Sequence, residues 1–216
     1  MIVRDEDIEV ITTSSGRVYR MGGECYPSVT TIIRFGDPEL KYNSKPGPAA
    51  AIGSIVHYKI LRQYARKRLS IPTDPVWRVA PDEVHRRINE CMRMWHELEL
   101  RIRPLEIEAA VCCNTPKYFG RIDMLAEVEG ELTLLDIKTG AHYDDHVMQA
   151  AAYWNALDRE PARAIYVYLD ANEERNPEKR ARVIEFDPGA LENGFKQFLE
   201  RYDYYMMPNV ITDEQS

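Results

Sequence analysis

The segment Leu132-Thr133-Leu134-Leu135-Asp136-Ile137-Lys138 constrains this chain more than any other. Leu132, Leu134 and Leu135 mark a buried strand, bounded by the turn Glu129-Gly130 before it and Thr139-Gly140 after it. Residues two apart on a strand face the same side. Asp136 and Lys138 therefore project together, while Ile137 packs into the core behind them. On a solvated strand end such a pair is an ordinary ion pair worth about 0–1 kcal/mol. Here a buried strand carries it to a glycine turn, the place outside the carboxyl ends of strands where α/β sheets hold their sites.

Asp123, in Gly120-Arg121-Ile122-Asp123, lies thirteen residues before Asp136. That spacing suits two neighbouring strands joined at Glu129-Gly130, and it brings two carboxylates side by side. Like charges so close need a cation between them, and Mg²⁺ takes such oxygen ligands while keeping several waters. Glu106 and Glu108 come one strand earlier, on a shared face by the same period, and one of them could add a third carboxylate. Gly53 and His57 stand four apart in a helical segment, as do Gln149 and Tyr153, so each pair lines one helix face. Glycine at position 53 lets a backbone or a nucleic acid approach closely. Gln149 and Tyr153, taken alone, read as a packed amide and aromatic pair.

Periodicity places these residues in one α/β domain spanning 1–216, with a core of about 48–170, an N-terminal region 1–47 and a C-terminal helix of about 188–207. Ser15-Gly16 reads as a turn between two short strands, and Ser28 as the cap of a helix starting near Val29. Helical patterns run from Pro48 to about Leu69 and from about Pro81 to Leu100. Strands are expected at 105–113, 118–128 and 132–138, a helix at 144–157, strands at 164–169 and 183–186, and a last helix from Pro188. The tail after Pro208 is expected to fray.

The ordered set is Gly53/His57, Glu108, Gly120/Asp123, Asp136/Lys138 and Gln149/Tyr153. It resembles the RecB-like branch of the PD-(D/E)XK nucleases. Upstream, Tyr26-Pro27-Ser28-Val29-Thr30-Thr31-Ile32 is similar to the start of the mitochondrial genome maintenance exonucleases and their phage relatives. The resemblance implies a restriction-endonuclease-like α/β core, a central mixed sheet flanked by helices with an N-terminal helical region. It implies that His57, Asp123, Asp136 and the carbonyl of Ile137 hold Mg²⁺, with Mn²⁺ able to substitute. Lys138 would position the attacking water and offset charge. Glu108, which fits the family spacing better than Glu106, would complete the acidic site. Gln149 and Tyr153 would buttress it and touch the strand.

The implied activity is DNA hydrolysis by an exonuclease on single-stranded or frayed ends, in replication, recombination or repair. A protein partner from those processes is compatible with it. The alternatives are a flap endonuclease on the same core and a catalytically silent DNA-binding subunit. Lys117 and Arg121 flank the Gly120–Asp123 motif and are candidate phosphate contacts. Tyr118, Phe119, Tyr143 and Trp154 are aromatic neighbours that could stack on unpaired bases. The net charge of −7 argues mildly against a nucleic-acid partner, but a cleft can be basic on an acidic protein. The four cysteines, Cys25, Cys91, Cys112 and Cys113, show no CxxC spacing. None follows Cys113, so the iron–sulfur cluster of several RecB-like exonucleases is expected to be absent. No apolar run approaches a membrane span and no signal pattern opens the chain; a soluble, intracellular protein is expected.

Overall fold

The computed structural model describes residues 1–13, 16–35, 48–66, 69, 71 and 82–207. The strands are β1 (Ile2–Val3), β2 (Glu9–Thr13), β3 (Gly16–Met21), β4 (Glu24–Pro27), β5 (Ile102–Asn114), β6 (Lys117–Val128), β7 (Glu131–Lys138), β8 (Arg163–Tyr168) and β9 (Arg182–Phe186). The helices are α1 (Val29–Arg34), α2 (Pro48–Tyr64), α3 (Asp82–His96), α4 (His146–Ala156) and α5 (Pro188–Met206).

A six-stranded mixed sheet runs in the order β1-β5-β6-β7-β8-β9. β5, β6 and β7 form an antiparallel meander, and α4 crosses from β7 to its parallel neighbour β8. This is a restriction-endonuclease-like α/β arrangement. Alternate residues of β7 and β8 feed two cores. Leu135, Ile137, Ile165 and Val167 pack under α2 and α3 with Val56, Ile60 and Trp95. Leu134, Ala164 and Tyr166 pack under α1, α4 and α5 with Ile32, Ala151 and Phe198. Ile137 is fully buried, which at roughly 1.5–3 kcal/mol for such a side chain fixes the rotation of β7 and thus where Asp136 and Lys138 point.

The helices expected before the sheet are present as α1, α2 and α3. Ser28 Oγ accepts the Thr31 N–H at 3.0 Å and caps α1, as its sequence position indicates. The N-terminal stretch also forms a separate antiparallel sheet, β2-β3-β4. It rests on β5 and β6 through Tyr19, Tyr26, Ala110, Cys112 and Phe119. Two of its strands were legible as a hairpin; β4 was not. Ser15 of the expected turn, residues 67 and 68 of the expected Pro48–Leu69 helical pattern, Pro81 at the start of the next pattern and the tail after Pro208 lie outside the described residues.

Candidate active site

The site forms where β6 and β7 part. Their hairpin turns at Glu129-Gly130, where φ is +52° and +90°. Two positive φ values give the twist that a two-residue hairpin needs. The ladder runs from Val128–Glu131 to Met124–Leu135 and stops there. Asp123 and Asp136 occupy the next position, which is unpaired. Instead of a backbone carbonyl, Asp123 Oδ2 accepts the Ile137 N–H at 2.8 Å. The hairpin register thus sets the two aspartates opposite each other, and the splay frees the Asp123 side chain to reach into the gap.

A second irregularity turns this gap into a cluster. On β5, Ile107 packs under α2 and α3 while Ala109 packs on the opposite face; on β6, Met124 and Ile122 do the same. Both strands switch faces at Glu108 and Asp123. Glu108 makes this possible with φ of +47°, a left-handed conformation uncommon for a residue with a side chain. Its carbonyl is held by Arg121 Nη1 at 2.6 Å, and Arg121 Nη2 reaches Asp5 Oδ1 at 2.7 Å. The simple period that pairs Glu106 with Glu108 does not survive this kink. Glu106 is exposed, whereas Glu108 is half-buried and feels the charges of Asp123 and His57.

From α2, His57 Nδ1 stands 3.3 Å from Asp123 Oδ2. Gly53, one turn earlier, faces Thr139: a Cβ there would lie 3.0 Å from Thr139 Oγ1. The close approach for which this glycine leaves room is therefore made by the end of β7. On the other side, Lys138 Nζ lies 2.6 Å from Asp136 Oδ2, donates to Gln149 Oε1 at 2.9 Å and sits 5.0 Å above the Tyr166 ring. Gln149 Nε2 donates to the Tyr153 hydroxyl at 3.0 Å. The Tyr153 ring packs against Gly120, filling the space of a missing Cβ. Lys138, Gln149, Tyr153 and Gly120 thus form one connected chain of contacts.

Lys117 is not brought to this group. It pairs with Glu24 at 2.8 Å and lies six residues, roughly 20 Å of strand, from Asp123. Arg121 is at the edge of the site, but its guanidinium is engaged by Glu108 and Asp5. Of the four aromatic candidates, Tyr118 and Phe119 are fully buried. Trp154 is half-buried with its indole N–H on the Pro161 carbonyl, and Tyr143 is exposed.

Burial pushes the Asp136 carboxyl up to about 6, against the pull of Lys138 and with the help of Asp123. Burial also opposes ionisation of Asp123, but His57, Lys138 and the Ile137 N–H outweigh it and hold that carboxyl below its ordinary range. Burial works against a charged His57, yet Asp123 and Asp136 raise its pKa. Glu108 is raised by burial and by Asp123. For Asp136 the folded state holds its proton from the ordinary 3.8 up to about 6, while the unfolded chain has already released it. Stability therefore falls as pH rises through that window. Melting metal-free protein in chelator should show it: the wild-type minus Asp136→Asn difference in thermal midpoint should decline from pH 4 to pH 6. A difference that stays flat or climbs would refute this electrostatic account.

Among the described residues, no three His, Cys, Asp or Glu side chains are drawn into a ready metal cluster. The chemistry of the group nevertheless fits a divalent ion. Asp136 is 4% exposed, and its Oδ2 is paired with the Lys138 ammonium at 2.6 Å. Burying a carboxylate is costly unless it is paired, and Asp123 adds a second negative charge opposite this one. Beside it stand a His–Asp pair and further hard oxygen donors, the set expected around Mg²⁺.

Sequence reasoning missed the floor and flank of the site. Tyr166 is fully buried beneath Lys138. The Tyr168 hydroxyl lies 2.8 Å from both His142 Nδ1 and His146 Nδ1. Burial, with Lys138 and His142 nearby, drives His146 down to about 3, so its imidazole is neutral. The available signals were the four-residue spacing of His142 and His146 and the alternation of Tyr166 with Tyr168.

No curated protein matches the chain closely enough to count as a relative. The family model described as the PD-(D/E)XK nuclease superfamily matches residues 38–205, a span that holds the whole candidate site and most of the chain. No helix among the described residues is long and apolar enough to cross a membrane. The match covers the splayed β6–β7 pair, the Asp136–Lys138 element and the helices on both sides of it: the chain belongs to the PD-(D/E)XK nuclease superfamily.

Proposed function

We propose that this protein is a Mg²⁺-dependent deoxyribonuclease that degrades DNA from single-stranded or frayed ends. The observation that carries the reading is the buried Asp136 carboxylate, paired with Lys138 at 2.6 Å and set opposite Asp123 where the β6–β7 ladder stops. Asp123, Asp136 and His57 would hold the ion, with the Ile137 carbonyl as a further ligand, and Mn²⁺ would substitute. When bound, such an ion polarises a phosphoryl oxygen and lowers the pKa of its water.

The residues themselves supply the rest. Lys138 is an ammonium fixed between Asp136 and Gln149, so it acts as a donor and a positive charge. It would hold the attacking water and offset charge on the phosphate as the nucleophile approaches. Glu108 adds a carboxylate on the Asp123 side, and its raised pKa suits it to accept or share a proton there. Arg121 is a positioning residue: it holds the kinked Glu108 backbone rather than the strand. Gln149 and Tyr153 keep Lys138 in place and border the path of the DNA.

The test is digestion of end-labelled single- and double-stranded DNA beside a closed circle. Mg²⁺ or Mn²⁺ should support loss of nucleotides from linear ends, and chelation should abolish it. Nicking of the closed circle would overturn the end-directed reading; an absence of any metal-dependent hydrolysis would overturn the nuclease reading itself.

A further inference from the structure

Next to the Lys138 end of β7 lies a cleft of about 320 Å³ that no motif of the site accounts for. Its walls include His142, Tyr168, Asp170, Arg175, Arg180 and Arg182. Three guanidiniums face one carboxylate, in a chain whose net charge is −7. Asp170 is already committed: Arg175 grips it through two hydrogen bonds of 2.7 and 3.0 Å. Among the described residues the Arg180 guanidinium pairs only with Glu178, at 3.3 Å in an exposed pair, which is worth little. Arg182 is in register with Tyr168 on the β8–β9 ladder and has no ion pair among the described residues. The cleft therefore keeps a surplus of positive charge.

It also has a rigid wall. Tyr168 is 3% exposed, and its hydroxyl is held between His142 and His146. This fixes the His142 ring and leaves Nε2 as its remaining polar atom. The cleft is continuous with the chemistry: Tyr168 is the β8 residue in register with Lys138, and the cleft lining begins at Gly140, two residues beyond it.

We propose that this cleft holds a phosphate of the nucleic-acid strand adjacent to the one being cut, with Arg182 as its principal charge and His142 as a second donor. The proposal rests on the nuclease reading and adds residues that none of the five motifs contains. Guanidinium is the side chain best suited to a phosphate, offering parallel donors and a charge that does not titrate. Contact to phosphate alone would align the strand over Asp136 without reading sequence.

The experiment is equilibrium binding of a fluorescein-labelled single-stranded oligonucleotide to the full chain in Ca²⁺, over a salt series, with cleavage in Mg²⁺ measured in parallel. Arg182→Ala should weaken binding about tenfold, the effect of one charged hydrogen bond, and reduce the salt slope by about 0.7. Arg182→Lys should restore the slope but only part of the affinity. His142→Ala should weaken binding with little change in slope. Arg159→Ala, in the connection between α4 and β8, should bind as wild type. If the wild type binds and cuts DNA while Arg182→Ala binds equally well, the cleft assignment is wrong and the nuclease reading stands. If the wild type neither binds nor cuts, the nuclease reading fails and takes this proposal with it.

Discussion

Lys138→Ala is expected to lower metal-dependent DNA hydrolysis about 10²–10³-fold, the range seen when one preorganised donor to a developing charge is removed. The ammonium is thoroughly placed. Asp136 Oδ2 at 2.6 Å, Gln149 Oε1 at 2.9 Å and the Tyr166 face hold it from three sides. A charge held this way needs no reorganisation when the phosphate arrives. Lys138→Arg should not rescue the rate, because a planar fork cannot take the place of a compact ammonium between these partners. Asp136→Ala should lose at least as much, and the double variant little more, since residues that act as a unit are not additive. Initial rates on labelled DNA, with thermal midpoints confirming folded variants, provide the check. A Lys138→Ala rate within about twofold of wild type would remove Lys138 from the chemistry.

The part of the site that sequence reveals is the part governed by strand period and hairpin register. Period two puts Asp136 with Lys138 and sends Ile137 into the core. The Glu129-Gly130 turn sets the register, and extending it by one position beyond Met124–Leu135 brings Asp123 opposite Asp136. What escapes is where the regular pattern breaks. The face switch at Glu108 needs a positive φ, and Glu108 gives no glycine-like signal for it. Arg121 and Lys117 look like free cations in sequence, but their partners Asp5 and Glu24 lie 116 and 93 residues away. β4 escapes because Glu24-Cys25-Tyr26-Pro27 is short and ends in proline, which donates no ladder bond. The cleft beside Lys138 is assembled from four separate segments, and its arginines read in sequence as an ordinary charged loop.

Gly120 couples the fold to the site, and Gly120→Ala should damage both. A Cβ at position 120 would stand 2.3 Å from Tyr153 Cε1 and 2.9 Å from Cδ1, so one of the two must move. Gly120 lies inside the β5–β6 ladder opposite Val111 and cannot shift without breaking pairing on a long strand. Tyr153 is 5% exposed and tethered through its hydroxyl to Gln149, which in turn holds Lys138. Overpacking a core position costs about 1–3 kcal/mol, or roughly 2–12 °C in thermal midpoint for a domain of this size. Any ring movement that relieves the clash pulls Gln149 away from Lys138, so activity should fall further than the midpoint alone explains. Tyr153→Phe separates the two effects: the ring stays, the bond to Gln149 goes, and the midpoint should drop less than in Gly120→Ala while the rate still declines. Adding Tyr153→Ala to Gly120→Ala should cost less than the sum of the single losses, because the second change removes the atoms against which the first collides. Strict additivity of the two, or a Gly120→Ala midpoint equal to wild type, would show that the glycine does not seat the tyrosine and that the chain of contacts from β6 to Lys138 is not what holds the ammonium in position.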